Sequence, residues 1–110
     1  MLRPDSIVIA HLVSPTEKFW GILAHLDQSG IFLRGINVSS FDDWMFQVSR
    51  QETQSLGLST MFVPLFRIER IFLDEQIGEV ESYAQRFDQQ VGMAVEDYLG
   101  LQAKMDEEPS

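Results

Sequence analysis

The stretch from Lys18 to Gly35 constrains the fold of this chain more than any other part of its sequence. Apolar segments flank a polar turn that ends in glycine, which predicts a strand over 18–26, a hairpin loop over 27–30 and a strand over 31–36. Gly21 lies inside the first strand, where glycine is costly unless the strand bends or another backbone approaches closely. The stretch therefore predicts a strongly bent β-hairpin of the kind that begins a small barrel.

Three further segments have the composition of strands: 6–13, 60–63 and 68–73. The second stops at Pro64, which cannot donate a ladder hydrogen bond and so marks an edge or a break where a sheet turns a corner. In the third, strict alternation places Ile68 and Phe72 on one face and Ile71 and Leu73 on the other. The pattern predicts a mainly β fold with a five-stranded, strongly bent, SH3-like small barrel.

A helical insertion is predicted between the third and fourth strands, within residues 37–59. Four apolar residues recur at the spacing i, i+3, i+4, i+7, namely Phe41, Trp44, Met45 and Val48. Ser40, with Asp43 three residues later, is the expected N-cap of a short amphipathic helix over 41–50. Extended structure is the alternative, because residues 45–48 also have the composition of a strand.

The C-terminal part is predicted to be helical over 80–100. Ser82 and Gln85 have the spacing of a capping box, and Gly92 is a natural helix end. A second, shorter helix is expected over 93–99, and residues 104–110 are expected to form a flexible acidic tail. We interpret residues 1–110 as a single domain, with the barrel over 6–73 and the helices as an extension.

The charge of the chain disfavours nucleic acid as a partner. The net charge is −9, and residues 74–110 carry ten acidic and two basic side chains. Eight lysines and arginines, scattered singly, are a poor footprint for phosphate binding. No apolar run approaches the roughly 18–20 residues that span a bilayer. With no cysteine in the sequence, we expect a cytoplasmic protein without disulfides or thiolate metal sites.

The sequence offers little chemistry. His25 and Asp27 would share a face if their strand continued, but a metal site needs three or four converging ligands. The adjacent carboxylates Asp42–Asp43 and Asp74–Glu75 do not face each other, so neither pair is a ready acid–base dyad. We therefore predict no catalytic residue, no metal or cofactor and no small-molecule substrate, and a protein that is not an enzyme. A small metal or catalytic site at His25 and Asp27 is the competing hypothesis.

The residues Phe19-x-Gly21-x-Leu23-x-x-Leu26-Asp27 resemble the first Sm motif. Residues 7–73 are thus similar to an Sm-like (LSm-like) small β-barrel, which implies five strongly curved strands and assembly, often into rings, through edge strands. The resemblance does not extend to RNA recognition. Ile31 stands where the family has an RNA-contacting asparagine, and residues 63–68 lack the family's arginine–glycine pair.

Aromatic residues are the remaining candidates for a specific role. Five of them are expected to cluster around the hairpin and the insertion: Trp20, Phe41, Trp44, Phe46 and Phe66. The first four form a candidate interaction surface. Aromatics dominate cores as well as binding hot spots, so the alternative is that they fill the interior. The leading hypothesis is a non-catalytic protein-interaction or self-assembly module that forms a homo-oligomer or binds a protein partner. A divergent Sm-type nucleic-acid binder is the alternative; it requires a basic patch of Arg34, Arg50, Arg67 and Arg70.

Overall fold

The computed structural model describes residues 2–52 and 55–100. Its strands are β1 (Ile7–Leu12), β2 (Glu17–Leu26), β3 (Gly30–Asn37), β4 (Ser59–Pro64) and β5 (Ile68–Leu73). Helix α1 (Val38–Ser49) follows β3, a 3-10 turn (Leu65–Arg67) joins β4 to β5, and α2 (Tyr83–Val91) follows the strands. Residues 95–100 are also helical and are called α3. The predicted mainly β fold, with a helical insertion and C-terminal helices, is confirmed.

The five strands form one antiparallel sheet in the order β4-β3-β2-β1-β5. Strands β1, β2 and β3 each pair with a neighbour on both sides, whereas β4 and β5 each pair on one side only and form the edges. These edge strands do not pair with each other, and the sheet is therefore open rather than closed by hydrogen bonds.

Gly21 and Gly35 lie opposite each other in β2 and β3. A Cβ atom on Gly21 would lie 2.3 Å from the backbone oxygen of Arg34, and one on Gly35 would lie 2.6 Å from that of Trp20. No side chain fits at either distance, because real Cβ atoms do not approach other heavy atoms so closely. The close backbone approach expected at Gly21 is confirmed.

The predicted faces of the last strand are wrong at one end. Leu12 pairs with Ile68 and His11 with Arg70, so Glu69 has no partner of its own on β1. This bulge shifts the alternation of side chains by one residue. As a result, Ile68 lies on the same face as Ile71 and Leu73, and all three pack against the same core.

Residues 41–50 are helical, not extended, but α1 begins earlier than predicted. Its N-cap is Asn37, the last residue of β3, whose side-chain oxygen accepts hydrogen bonds from the backbone N–H and the hydroxyl of Ser39. The predicted cap, Ser40, lies inside the first turn. The helix starts directly at the strand end because asparagine caps the free N–H groups there as well as serine does.

The C-terminal helices match the sequence pattern closely. Ser82 and Gln85 form a reciprocal capping box, and α2 ends at Gly92 in the left-handed conformation, with φ of 82°. Helix α3 begins at residue 95 rather than 93 and continues to residue 100, the last that the structure describes. The expected flexible tail over 104–110 lies outside the described residues.

Two cores lie on opposite faces of the sheet. The helix-side core joins the sheet to the helices; its buried members are Trp20, Ile36, Phe41, Trp44, Met45, Val48, Phe87, Val95 and Leu99. The strand-side core lies on the other face and draws its buried residues from strands only: Val8, Ala10, Leu12, Leu23, Ile31, Leu33 and Val63. The face that carries the helices also carries the candidate site.

Candidate functional site

Three of the four aromatics proposed as an interaction surface are in the interior. Trp20 and Phe41 are completely buried and Trp44 is 1% exposed. The ring of Trp20 contacts Phe41 edge-on at a centroid distance of 5.0 Å and Trp44 at 5.9 Å. The surface hypothesis is therefore wrong for these residues. The core alternative describes them, because i, i+3 spacing on α1 directs Phe41 and Trp44 toward the sheet.

Phe46, the fourth member, is half-buried against the helix-side core. The guanidinium of Arg50, one turn later on α1, lies 5.5 Å from the centre of its ring. An arginine over the ring face is an attractive contact within the helix itself. The ring of Phe46 is therefore partly covered by its own helix and by the core, and it is not a freely exposed contact residue.

Exposed aromatics lie elsewhere in the fold, two of them on neighbouring strands. Phe32 of β3 and Phe62 of β4 are directly opposite each other and are 40% and 45% exposed. Their ring centroids are 5.0 Å apart, and the ring of His25 on β2 lies 6.1 Å from that of Phe32. We call His25, Phe32 and Phe62 the aromatic row.

The register shows where the aromatic row lies. Phe32 is four residues before Ile36 on β3, so both side chains point to the helix side of the sheet. Ile36 is covered by the helix-side core, whereas Phe32 and Phe62 remain exposed. The row is thus an uncovered part of this face. It runs across β2 and β3 and ends at β4.

The two sheet edges differ in charge. The sequence of β4 is Ser-Thr-Met-Phe-Val-Pro, with no charged residue. The β5 edge carries the exposed Glu69 and Arg70, which form an ion pair at 3.0 Å, and it contains the bulge. Charges and bulges are the devices by which natural edge strands resist pairing with other chains. The β5 edge has both, whereas the β4 edge has neither and ends in Pro64, which lacks the N–H of a ladder donor.

The turn after β4 adds further exposed apolar surface. Leu65 and Phe66 are 53% and 83% exposed. The backbone N–H of Leu65 donates to the carbonyl of Ser29, which ties this turn to the loop between β2 and β3. The end of β4 is therefore fixed in place next to the aromatic row.

His25, near the end of β2, and Asp27, in the loop that follows, lie together. The carboxylate of Asp27 accepts a hydrogen bond from the backbone N–H of Ser29 at 2.8 Å, and its other oxygen lies 3.2 Å from Nε2 of His25. The hydrogen bond from Ser29 is the main reason that the pKa of Asp27 is below its ordinary value. Across residues 2–52 and 55–100, no three metal-ligating side chains converge.

A second surface feature is an open cavity of about 300 Å³ beside α3. Its apolar lining residues are Ile7, Ile22 and Leu99, and its charged lining residues are Arg34, Asp5 and Glu96. Lining charges of both signs select neither an anion nor a cation. The cavity offers shape but no defined chemistry.

The basic patch that nucleic-acid binding requires is largely neutralised. Arg67 pairs with Glu17 at 2.9 Å, Arg50 with Glu52 at 3.5 Å, and Arg70 with Glu69. Ile31, at the position of the family's RNA-contacting asparagine, is completely buried in the strand-side core. A completely buried side chain is not available for contact with a ligand at the surface.

Sequence reasoning missed the aromatic row and one structural residue. Phe32 and Phe62 looked like ordinary strand residues; the available signal was that 60–63 ends at Pro64 and so is an edge. Asp74 was treated only as half of a carboxylate pair. Its carboxylate accepts hydrogen bonds from Nε1 of Trp20 at 3.0 Å and from the backbone N–H groups of Tyr83 and Ala84 at 2.9 Å.

No model of a known protein family, no curated protein and no solved structure matches this chain. Within the part of the chain that the structure describes, no helix is long and apolar enough to cross a membrane.

Proposed function

We propose that this protein is a non-catalytic self-assembly module built on a strongly bent, Sm-like small barrel. The observation that carries the proposal is the β4 edge. The strand is uncharged, and among the described residues no strand pairs with its outer side. It carries the exposed Phe62, which lies beside the exposed Phe32 of β3. A free edge of this composition is a template for strand pairing with another chain.

Burial of the strand-side core supports the barrel. Its buried residues and the residues packed on them come from the five strands and from Leu2 and no helix. A flat sheet would leave this face in water, yet Val8, Leu23 and Leu33 are completely buried. A sheet that curls over its own face accounts for this burial without a covering layer.

The connection between the edge strands also supports strong curvature. The edges of a flat five-stranded sheet lie about 19 Å apart, since neighbouring strands are about 4.8 Å apart. The four Cα–Cα steps from Pro64 to Ile68 span at most about 15 Å. Moreover, Pro64 pairs with Gly30, which lies near the last residues of β2. Ile68 pairs with Leu12, which lies opposite Glu17, the first residue of β2. The two residues are therefore also displaced along the strand direction. A curled sheet accounts for how three residues connect these two ends.

Sedimentation velocity over a wide range of protein concentration tests the proposal. We expect a species larger than the monomer whose fraction increases with concentration. A protein that stays strictly monomeric at the highest concentration contradicts self-assembly. Trp44→Ala is not a suitable test variant, because it removes a buried core side chain and destabilises the fold itself.

Single-stranded nucleic acid is the second candidate ligand, because exposed aromatic rings on a sheet are the usual platform on which bases stack. The aromatic row supplies such rings, with Arg34 two residues after Phe32 on the same face. The net charge of −9 opposes this function. Fluorescence anisotropy with labelled oligonucleotides at low salt tests it; binding that Phe32→Ala abolishes would favour this candidate over self-assembly.

A further inference from the structure

The contrast between the two edges indicates how copies of this chain meet. If copies joined head to tail, β4 of one copy would pair with β5 of the next, and both edges would be covered in the assembly. The β5 edge, however, carries the Glu69–Arg70 ion pair and the bulge, the features of an edge that stays in solvent. Only the β4 edge has the composition of a covered strand.

We propose that two copies pair through β4 alone, antiparallel and around a two-fold axis perpendicular to the sheet. This inference rests on the proposed self-assembly and specifies its geometry. A second copy suits this edge because the chain is strongly acidic overall while β4 has no charge, so the approach is free of local repulsion. Pairing of this kind closes at a dimer and leaves both β5 edges free.

Symmetry restricts the register. Residues directly opposite each other in antiparallel strands share a face of the sheet. Consecutive residues of one strand lie on opposite faces, so residue i of one copy cannot lie opposite residue i+1 of the other. The two-fold axis must therefore pass between one residue and its own copy. Centring on Phe62 places Phe62 against its copy and Met61 against Val63, which matches apolar residues on both faces. Centring on Met61 places the polar Ser59 against Val63. The first register is the better match, and it joins the aromatic rows of the two copies into one.

Two matched lysine variants test this interface. Phe62→Lys and Phe72→Lys replace an exposed phenylalanine on the helix side of β4 and of β5, respectively. A lysine on an edge strand opposes pairing, so we expect Phe62→Lys to raise the dimer dissociation constant at least about tenfold. Phe72→Lys should leave that constant unchanged. Circular dichroism checks that both variants are folded.

Cysteine cross-linking provides a second test that does not depend on a loss of binding. The chain has no cysteine, so Phe62→Cys contains a single thiol. Opposed residues in antiparallel strands have the Cα separation that a disulfide requires. We therefore expect Phe62→Cys to form a covalent dimer on mild oxidation and Phe72→Cys to remain monomeric. Non-reducing denaturing electrophoresis distinguishes the two results.

The outcomes separate this inference from the proposed function. A monomeric wild-type protein overturns the self-assembly itself. If the wild type associates but Phe72→Lys weakens it as much as Phe62→Lys, the copies join head to tail and the two-fold interface is wrong. If it associates and neither variant has an effect, with no cross-link through Phe62→Cys, the interface lies elsewhere on the molecule.

Discussion

At the scale of single residues, Gly21 and Gly35 show how little room the bent hairpin leaves. A methyl group on Gly21 would lie 2.3 Å from the backbone oxygen of Arg34, which belongs to the paired strand and cannot move aside. We expect Gly21→Ala to lower the free energy of unfolding by about 2 kcal/mol, the usual cost of overpacking a fixed site. Chemical denaturation measures the change.

Gly57 provides the matched control for that prediction. A Cβ atom there meets no heavy atom within 4 Å, so Gly57→Ala should leave stability unchanged or raise it slightly. Equal losses in the two variants would mean that the close approach at Gly21 is not what makes glycine necessary.

Protonation of His11 is expected to lower the stability of the fold. Burial, followed by the positive charges of Lys18 and Arg70, lowers the pKa of His11 below its ordinary value. The unfolded chain therefore binds this proton more readily, and stability decreases as the pH falls from the ordinary histidine pKa through the lowered one. In NMR titrations we expect Lys18→Met to raise the pKa of His11 and Glu69→Gln to lower it. Shifts of the opposite sign would contradict these electrostatic assignments.

At the scale of elements, Asp74 joins the helices to the sheet. Its carboxylate accepts hydrogen bonds from the indole N–H of Trp20 and from two N–H groups in the first turn of α2. Asp74→Ala leaves the indole of a completely buried side chain without this partner. We expect a loss of about 2–3 kcal/mol in the free energy of unfolding, the cost of unsatisfied buried donors and a lost cap.

The neighbouring carboxylate isolates this effect from charge. Glu75 is exposed, so Glu75→Ala removes the same charge without removing these hydrogen bonds. Tryptophan fluorescence and denaturation should distinguish the two variants. A loss in Glu75→Ala as large as that in Asp74→Ala would assign the effect to net charge rather than to the attachment of α2.

At the scale of the whole molecule, the distribution of charge predicts how association depends on salt. Residues 74–110 hold ten of the 17 acidic residues, whereas β4 has none. Salt screens repulsion between the acidic copies but does not weaken an uncharged interface. We expect sedimentation equilibrium to give a dissociation constant that is unchanged or lower at high salt. A dimer that dissociates as salt is added would indicate ion pairs across the interface.

The sequence determined the elements whose signals are local. The hairpin over 18–35, the capping box at Ser82 and the helix end at Gly92 follow from backbone freedom and short-range hydrogen bonds, which depend on neighbouring residues alone. Helix α1 was predicted by its periodicity, although its start was misplaced because Asn37 and Ser40 cap equally well. The acidic, cysteine-free composition likewise needed no structure.

Which side chains face water depends on the packing of the whole chain. The same i, i+3 pattern on α1 fits a core or a contact surface, and only packing against the sheet placed Trp44 inside. Phe32 and Phe62 became exposed because the helices cover one part of the sheet face and leave the rest open. The bulge at Glu69 and the free edge of β4 depend on which strands pair, and strand pairing is a non-local property that a single segment does not encode.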